Sequence, residues 1–178
     1  IVELEQTYDR AASYQENYER GPQFGAERRA VPQVPRKEFL GRPVRSRVGI
    51  AAGLLLNREW ILGYAERGFD LLTYKTVRSS FRPCYDLPNW VFVEEARDDP
   101  GTYFVTDDLP DDPREVSSSV CFGMPSMAPE VWRKDVARAK SGLAEGQLLI
   151  VSVVATPLEG WTLELVAADF VQCAVWAR

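Results

Sequence analysis

Apolar positions along this chain fall into two alternating kinds of stretch. Val48-Gly49-Ile50-Ala51-Ala52-Gly53, Phe69 to Tyr74 with Lys75-Thr76 beyond it, and Leu148 to Val154 are short, nearly continuous apolar runs. Such runs predict strands buried on both faces of a parallel sheet. Between and after them, apolar residues recur at helical spacing. A helix over Asn57 to Arg67 carries Trp60, Ile61, Tyr64 and Ala65 on its stripe and stops at Gly68. Pro129-Glu130 opens a second helix with Trp132, Val136 and Ala139 inward, and Thr162 caps a third with Leu163, Val166, Phe170 and Cys173 or Ala174 inward. Strands alternating with amphipathic helices predict an α/β fold whose binding surface lies at the C-terminal ends of the strands.

The flanking pattern is less regular. Glu3 to Arg20 reads as a helix with Leu4, Tyr8 and Ala12 on one stripe and Tyr14 and Tyr18 beside it, stopped by Gly21-Pro22. A Pro- and Arg-rich connector runs from Gln23 to Arg36. Glu38-Phe39-Leu40 and Val44 to Ile50 flank the turn signal Gly41-Arg42-Pro43, which predicts a hairpin. The segment 78–119 is rich in Pro and Asp and reads as a long irregular insertion, a functional loop or a subdomain. The organisation expected is an N-terminal helix and connector over 1–36, then a body over 37–178 interrupted at 78–119.

Three strand–helix units admit two architectures. One is an open three-layer sheet. The other is the first part of a (β/α)₈ barrel, which typically needs about 250 residues. A parallel sheet ending at its third strand has an edge awaiting a partner.

Composition narrows the chemistry. At 178 residues with 46% hydrophobic and 26% charged positions, the chain holds one globular core. A formal charge of -5 offers no electrostatic reason to bind nucleic acid. No apolar run approaches the roughly 20 residues of a membrane span. There is no basic-then-apolar leader, so the cytoplasm is the expected location. Ile1 in place of Met leads to the expectation that the natural start is missing or was removed. The lack of histidine excludes Ser-His and Cys-His pairs and histidine-based metal sites. Cys84, Cys121 and Cys173 have no paired spacing, so neither a disulfide framework nor a zinc ribbon is expected, and each reads as an inert small hydrophobe. Glu94, Glu95, Asp98, Asp99, Asp107, Asp108, Asp111 and Asp112 fit no EF-hand spacing and read as a solvated loop; no metal is expected.

Candidate ligand chemistry sits at the strand ends. Gly and Ala at Ala51-Ala52-Gly53 allow a flat ligand to approach the backbone, or simply allow close packing. Lys75 at the end of a buried strand must snorkel to water or face an anionic or electron-rich partner. Val120-Cys121-Phe122-Gly123-Met124-Pro125-Ser126 reads as a constrained loop whose amides can hold a polar ring, or as a plain turn. Trp90, following Leu87-Pro88-Asn89, is expected to support the loop over the site.

Taken in order, Val48 to Gly53 with nearby Asn57, Gly68 to Thr76, Phe122-Gly123-Met124-Pro125 and Leu149 to Val154 resemble the dihydroorotate dehydrogenases over roughly residues 38–178. The resemblance implies a flavoenzyme of the (β/α)₈ barrel class that oxidises a dihydropyrimidine acid to the pyrimidine, with FMN as cofactor. It implies that Ala51, Ala52 and Gly53 line the FMN ring and that Lys75 and Thr76 contact flavin or substrate. It further implies that Phe122, Gly123 and Met124 cradle the pyrimidine, and it admits a homodimer. The implied chemistry removes a proton from one substrate carbon and passes a hydride to flavin N5.

Two positions depart from the family pattern. An asparagine that hydrogen-bonds the substrate is generally found two residues before the Phe-Gly pair, where this chain has Val120. The family's catalytic Cys or Ser follows a fourth strand, so no catalytic base is expected in this chain and one is expected beyond Arg178. Val120 keeps open a related flavoenzyme acting on another cyclic amide. A different class also stays open: a non-catalytic α/β module that binds a partner through the Pro/Asp-rich insertion.

Overall fold

The computed structural model describes residues 7–25, 27, 31 and 34–178. In chain order the elements are α1 (Tyr14–Arg20), β1 (Lys37–Phe39), β2 (Arg42–Val44), β3 (Gly49–Ile50), α2 (Arg58–Ala65), β4 (Leu71–Val77), β5 (Trp90–Glu95), β6 (Tyr103–Val105), β7 (Ser117–Val120), α3 (Pro129–Gly142), β8 (Leu148–Val153) and α4 (Leu163–Trp176).

β3, β4 and β8 form a parallel sheet in that spatial order, with Gly49 opposite Leu71 and Leu71 opposite Leu148. The expected α/β alternation is present, and among the described residues the sheet does not close into a barrel. β4 is central, which explains its apolar sequence: Leu71, Leu72, Tyr74 and Val77 are all buried. Gly49 is required by the pairing itself, because a β-carbon there would collide with the carbonyl oxygen of Leu71.

The layer over the sheet is built by α2 and α3. Asn57 caps α2, accepting from Glu59 N (3.0 Å) and Trp60 N (3.4 Å) while its Nδ2 donates to Tyr18 O. Trp60, Ile61 and Ala65 bury the predicted stripe. α3 does the same with Trp132, Val136 and Ala139. At the bottom of the sheet, Asp70 is fully buried and accepts from Arg45 Nε at 2.9 Å.

Four expectations are corrected. The N-terminal helix begins at Tyr14, and residues 7–13 are not helical; Leu4 and the rest of 1–6 lie outside the described residues. The start is set by a capping box, in which Ser13 Oγ accepts from Glu16 N and Glu16 Oε2 accepts from Ser13 N. Tyr8 is nevertheless buried, packing against Trp60, Trp90 and Phe122 from an irregular segment. The hairpin turns at Leu40-Gly41, and Val44 to Ile50 is interrupted rather than one strand, with Arg42 and Pro43 inside β2. The insertion is not irregular: β5, β6 and β7 form an antiparallel sheet in the order β6-β5-β7, with Trp90 opposite Val120. Finally, Leu163 and Phe170 of α4 are exposed, and Cys173 is the buried residue of that helix.

Candidate functional site

The C-terminal end of the parallel sheet opens into a cavity of about 550 Å³. Ala52, Gly53 and Leu54 enter it from the segment after β3, Lys75 and Thr76 from β4, and Arg82, Tyr85 and Trp90 from the segment leading into β5. Val120, Cys121, Phe122, Gly123 and Met124 close it. Tertiary structure thus brings together every predicted site residue except Ala51, which is exposed and does not line the cavity. This departs from the reading that put Ala51 beside Ala52 and Gly53.

Lys75 is the chemical centre of this wall. The residue is 5% exposed, its backbone N–H donates to Leu55 O (2.9 Å), and among the described residues its ammonium has no hydrogen-bond or ion-pair partner. Burial pushes its pKa down to about 8, with Cys84 opposing and Arg78 reinforcing that shift. A buried ammonium without a counter-charge favours any anionic group entering the cavity. The Thr76 hydroxyl is already engaged with Ser152 Oγ at 3.0 Å, tying β4 to β8.

The loop after β7 adds donors. Gly123 and Met124 both have positive φ, 73° and 49°. Phe122 O accepts from Tyr85 N (3.2 Å) and Gly123 O accepts from Arg82 Nε (2.9 Å). Peptide planarity then directs the Gly123 and Met124 N–H groups to the opposite side, and neither has a partner among the described residues. Two free amides and the cations of Lys75 and Arg82 suit a ring bearing carbonyl or carboxylate oxygens. Above Gly123, the Tyr85 ring packs so closely that a β-carbon would meet it at 2.8 Å.

The remaining candidates fall into structural roles. Cys84 is half-buried, its Sγ accepts from Asn89 Nδ2, and burial raises its pKa, so it stays a thiol rather than a nucleophilic thiolate. Cys121 is exposed on the cavity wall and Cys173 is buried under α4. Trp90 lines the cavity and packs 5.6 Å from Tyr8 and 6.5 Å from Phe122, ring centre to ring centre. Its Nε1 is buried without a partner among the described residues. Asn57 is a helix cap and lies outside this wall. Arg82 and Tyr85 were not visible as site residues; the one signal was that they follow Lys75 within a segment whose pairing partners lie about 40 residues ahead.

The small residues at the cavity floor leave space that would admit a flat ring such as a flavin. A β-carbon at Gly53 would meet nothing within 4 Å, so the floor there is open, and Ala52 beside it is small. The surrounding wall is predominantly aromatic and aliphatic, as a flat ring requires.

No family model matches the chain. Over 163 residues it is 35% identical to a dihydroorotate dehydrogenase of Dictyostelium discoideum, an alignment that covers 84% of this chain and 44% of that protein. The resemblance drawn from the strand-end and loop motifs is borne out by this relative. The chain spans less than half the length of the curated relative it matches.

Proposed function

We propose, from that relationship, that this chain contributes the flavin-facing floor and the charged wall of a dihydroorotate dehydrogenase-type site in pyrimidine metabolism. β3, β4 and β8 with α2, α3 and α4 would then be the first three strand–helix units of a (β/α)₈ barrel. The observation that carries the reading is the position of Lys75: buried, without a counter-charge among the described residues, in one cavity with Gly53, Gly123 and Met124, whose last two amides have no partner among those residues.

Ala52, Gly53 and Lys75 are the residues that would hold the FMN ring. When bound, FMN supplies the hydride acceptor for CH–CH oxidation. The protein's own part is orientation and charge. Lys75 holds the substrate carboxylate or the electron-rich edge of the ring, and the Gly123 and Met124 amides donate to substrate oxygens. Tyr85, Trp90 and Phe122 line the cavity and would limit water around a bound ring. No carboxylate lines the cavity, and we assign the proton-abstracting base to none of its residues.

A second reading differs only in substrate, and Val120 favours it. Its side chain lines the cavity but neither donates nor accepts a hydrogen bond. A related flavoenzyme acting on a cyclic amide that lacks the group bound by the family's asparagine would use the same floor and lysine.

The test is titration of the purified chain with FMN, followed by flavin fluorescence, and then titration of the FMN-loaded chain with orotate. Saturable FMN binding with an orotate-dependent change in the flavin spectrum is expected. A folded chain indifferent to FMN overturns the flavin reading and favours a partner-binding module. FMN binding without an orotate response favours the other cyclic amide.

A further inference from the structure

We propose that Arg78 and Arg82 are positioning residues that hold the peptides on both sides of Met124 and so set the direction in which this loop offers the Met124 amide hydrogen to a ligand. The inference rests on the reading of the adjoining cavity as a ligand site.

Arg78 directly follows β4 and is 4% exposed. Its guanidinium meets no carboxylate within ion-pair distance among the described residues. It donates instead to backbone and hydroxyl oxygens: Nε to Met124 O (3.0 Å), and Nη1 to Ala155 O (2.7 Å) and Thr156 Oγ1 (3.4 Å). Its own backbone is fixed from both sides, since its N–H donates to Ser126 Oγ (3.0 Å) and its carbonyl accepts from Trp132 Nε1 (3.0 Å). The side chain therefore bridges the loop after β7 and the segment after β8 from a rigid base.

The loop has reason to need this. Left-handed backbone at a non-glycine residue such as Met124 is disfavoured and persists only where its surroundings over-determine it. Arg78 on Met124 O and Arg82 on Gly123 O hold two consecutive carbonyls of that strained turn. Arg82 holds the peptide plane that carries the Met124 N–H, and Arg78 holds the next plane, between Met124 and Pro125, so that losing either bond lets Met124 turn about its own dihedrals and re-aims its N–H. A lysine keeps the charge but lacks the planar fork that reaches Met124 O and Ala155 O together.

The test compares wild type, R78K and R82K as the full 178-residue chain. NMR reports the left-handed state of Met124 through its backbone shifts and amide–Hα coupling, with no ligand needed. Titrations report FMN and orotate binding separately. In folded R78K, Met124 is expected to leave the left-handed region. Orotate affinity should fall roughly tenfold or more while FMN affinity holds. R82K should show the same pattern at least as strongly, because Gly123 O shares its peptide plane with the Met124 N–H. Wild-type Met124 geometry and wild-type orotate affinity in folded R78K overturn the proposal. If R78K does not fold, R82K decides, and an unchanged Met124 signal there overturns it. A wild-type chain that binds neither FMN nor orotate sinks the functional reading, while the Met124 signal still decides the role of the arginines.

Discussion

The Tyr74 hydroxyl donates to Asp135 Oδ2 at 2.7 Å, and the same oxygen accepts from Arg58 N at 2.7 Å. One carboxylate on α3 thus joins the central strand to the start of α2, immediately before Lys75 in the sequence. Burial, and then the neighbouring carboxylate, hold the Tyr74 phenol well above its ordinary pKa, so it remains a donor at all working pH values. Removing the acceptor strands two donors, whereas removing the hydroxyl leaves Asp135 with Arg58 N. D135A is therefore expected to destabilise the chain by about 2–4 kcal/mol and Y74F by about 1 kcal/mol. Urea unfolding of both variants measures the difference, and equal losses would contradict the shared-acceptor account.

Lys75 gives a stability effect with a defined sign. Its pKa is about 8 when folded against 10.5 in the reference state, so between these values the unfolded chain binds more protons. Stability from this group consequently rises with pH across that window, and the penalty is complete below pH 8. K75M should stabilise the chain near pH 7 by roughly 3 kcal/mol, the free-energy equivalent of the shift. The gain should vanish toward pH 10.5. A stability difference between wild type and K75M that is flat from pH 7 to 10.5 would refute the assignment.

The same protonation governs ligand binding. An anionic ring held by the Lys75 ammonium loses that partner above pH 8, so orotate affinity is expected to fall about tenfold per pH unit beyond it while K75M binds weakly at every pH. Calorimetric titration across pH 6.5–9.5 provides the measurement.

Two glycines test the geometry of sheet and loop separately. At Gly49 a β-carbon has no space beside the Leu71 carbonyl, so G49A should open the β3–β4 pairing and cost more than about 3 kcal/mol. At Gly123 the obstacle is the Tyr85 ring together with a φ of 73°. G123A should cost about 1–3 kcal/mol, and a Y85A background should recover part of it. Full additivity of the last pair, read from thermal unfolding, would exclude the ring contact as the cause.

Val120 tests substrate choice. It ends β7 opposite Trp90 on the cavity wall. If the second reading holds, V120N should not improve orotate binding. If the site takes a dihydroorotate-like ring, V120N should strengthen orotate binding by about tenfold, the worth of one hydrogen bond. Orotate titration of both chains separates the two.

Local pattern was enough for the parts of this protein whose physics is local. Apolar runs marked β4 and β8, helical spacing marked the buried stripes of α2 and α3, and the strand-end position of Lys75 marked it as a side chain in need of a partner. The capping box at Ser13 and Glu16 was also present in the sequence, but the apolar spacing upstream masked it. Other features depend on residues far apart. β5 and β6 form a short hairpin across Asp98-Asp99-Pro100-Gly101, a local signal the acidic composition masked, whereas β5 finds its other partner in β7 more than 20 residues later. α4 is apolar on several sides, and only its packing selects Cys173 over Leu163 and Phe170 for burial. Ala51 and Ala52 are identical in sequence terms, yet the turn after β3 puts only the second on the cavity wall. Arg78 and Arg82 look like any solvated arginines until the chain returns some 40 residues later and presents the Gly123 and Met124 carbonyls to them. Periodicity records which face of an element is apolar; which distant atoms meet a given side chain is decided when the elements pack.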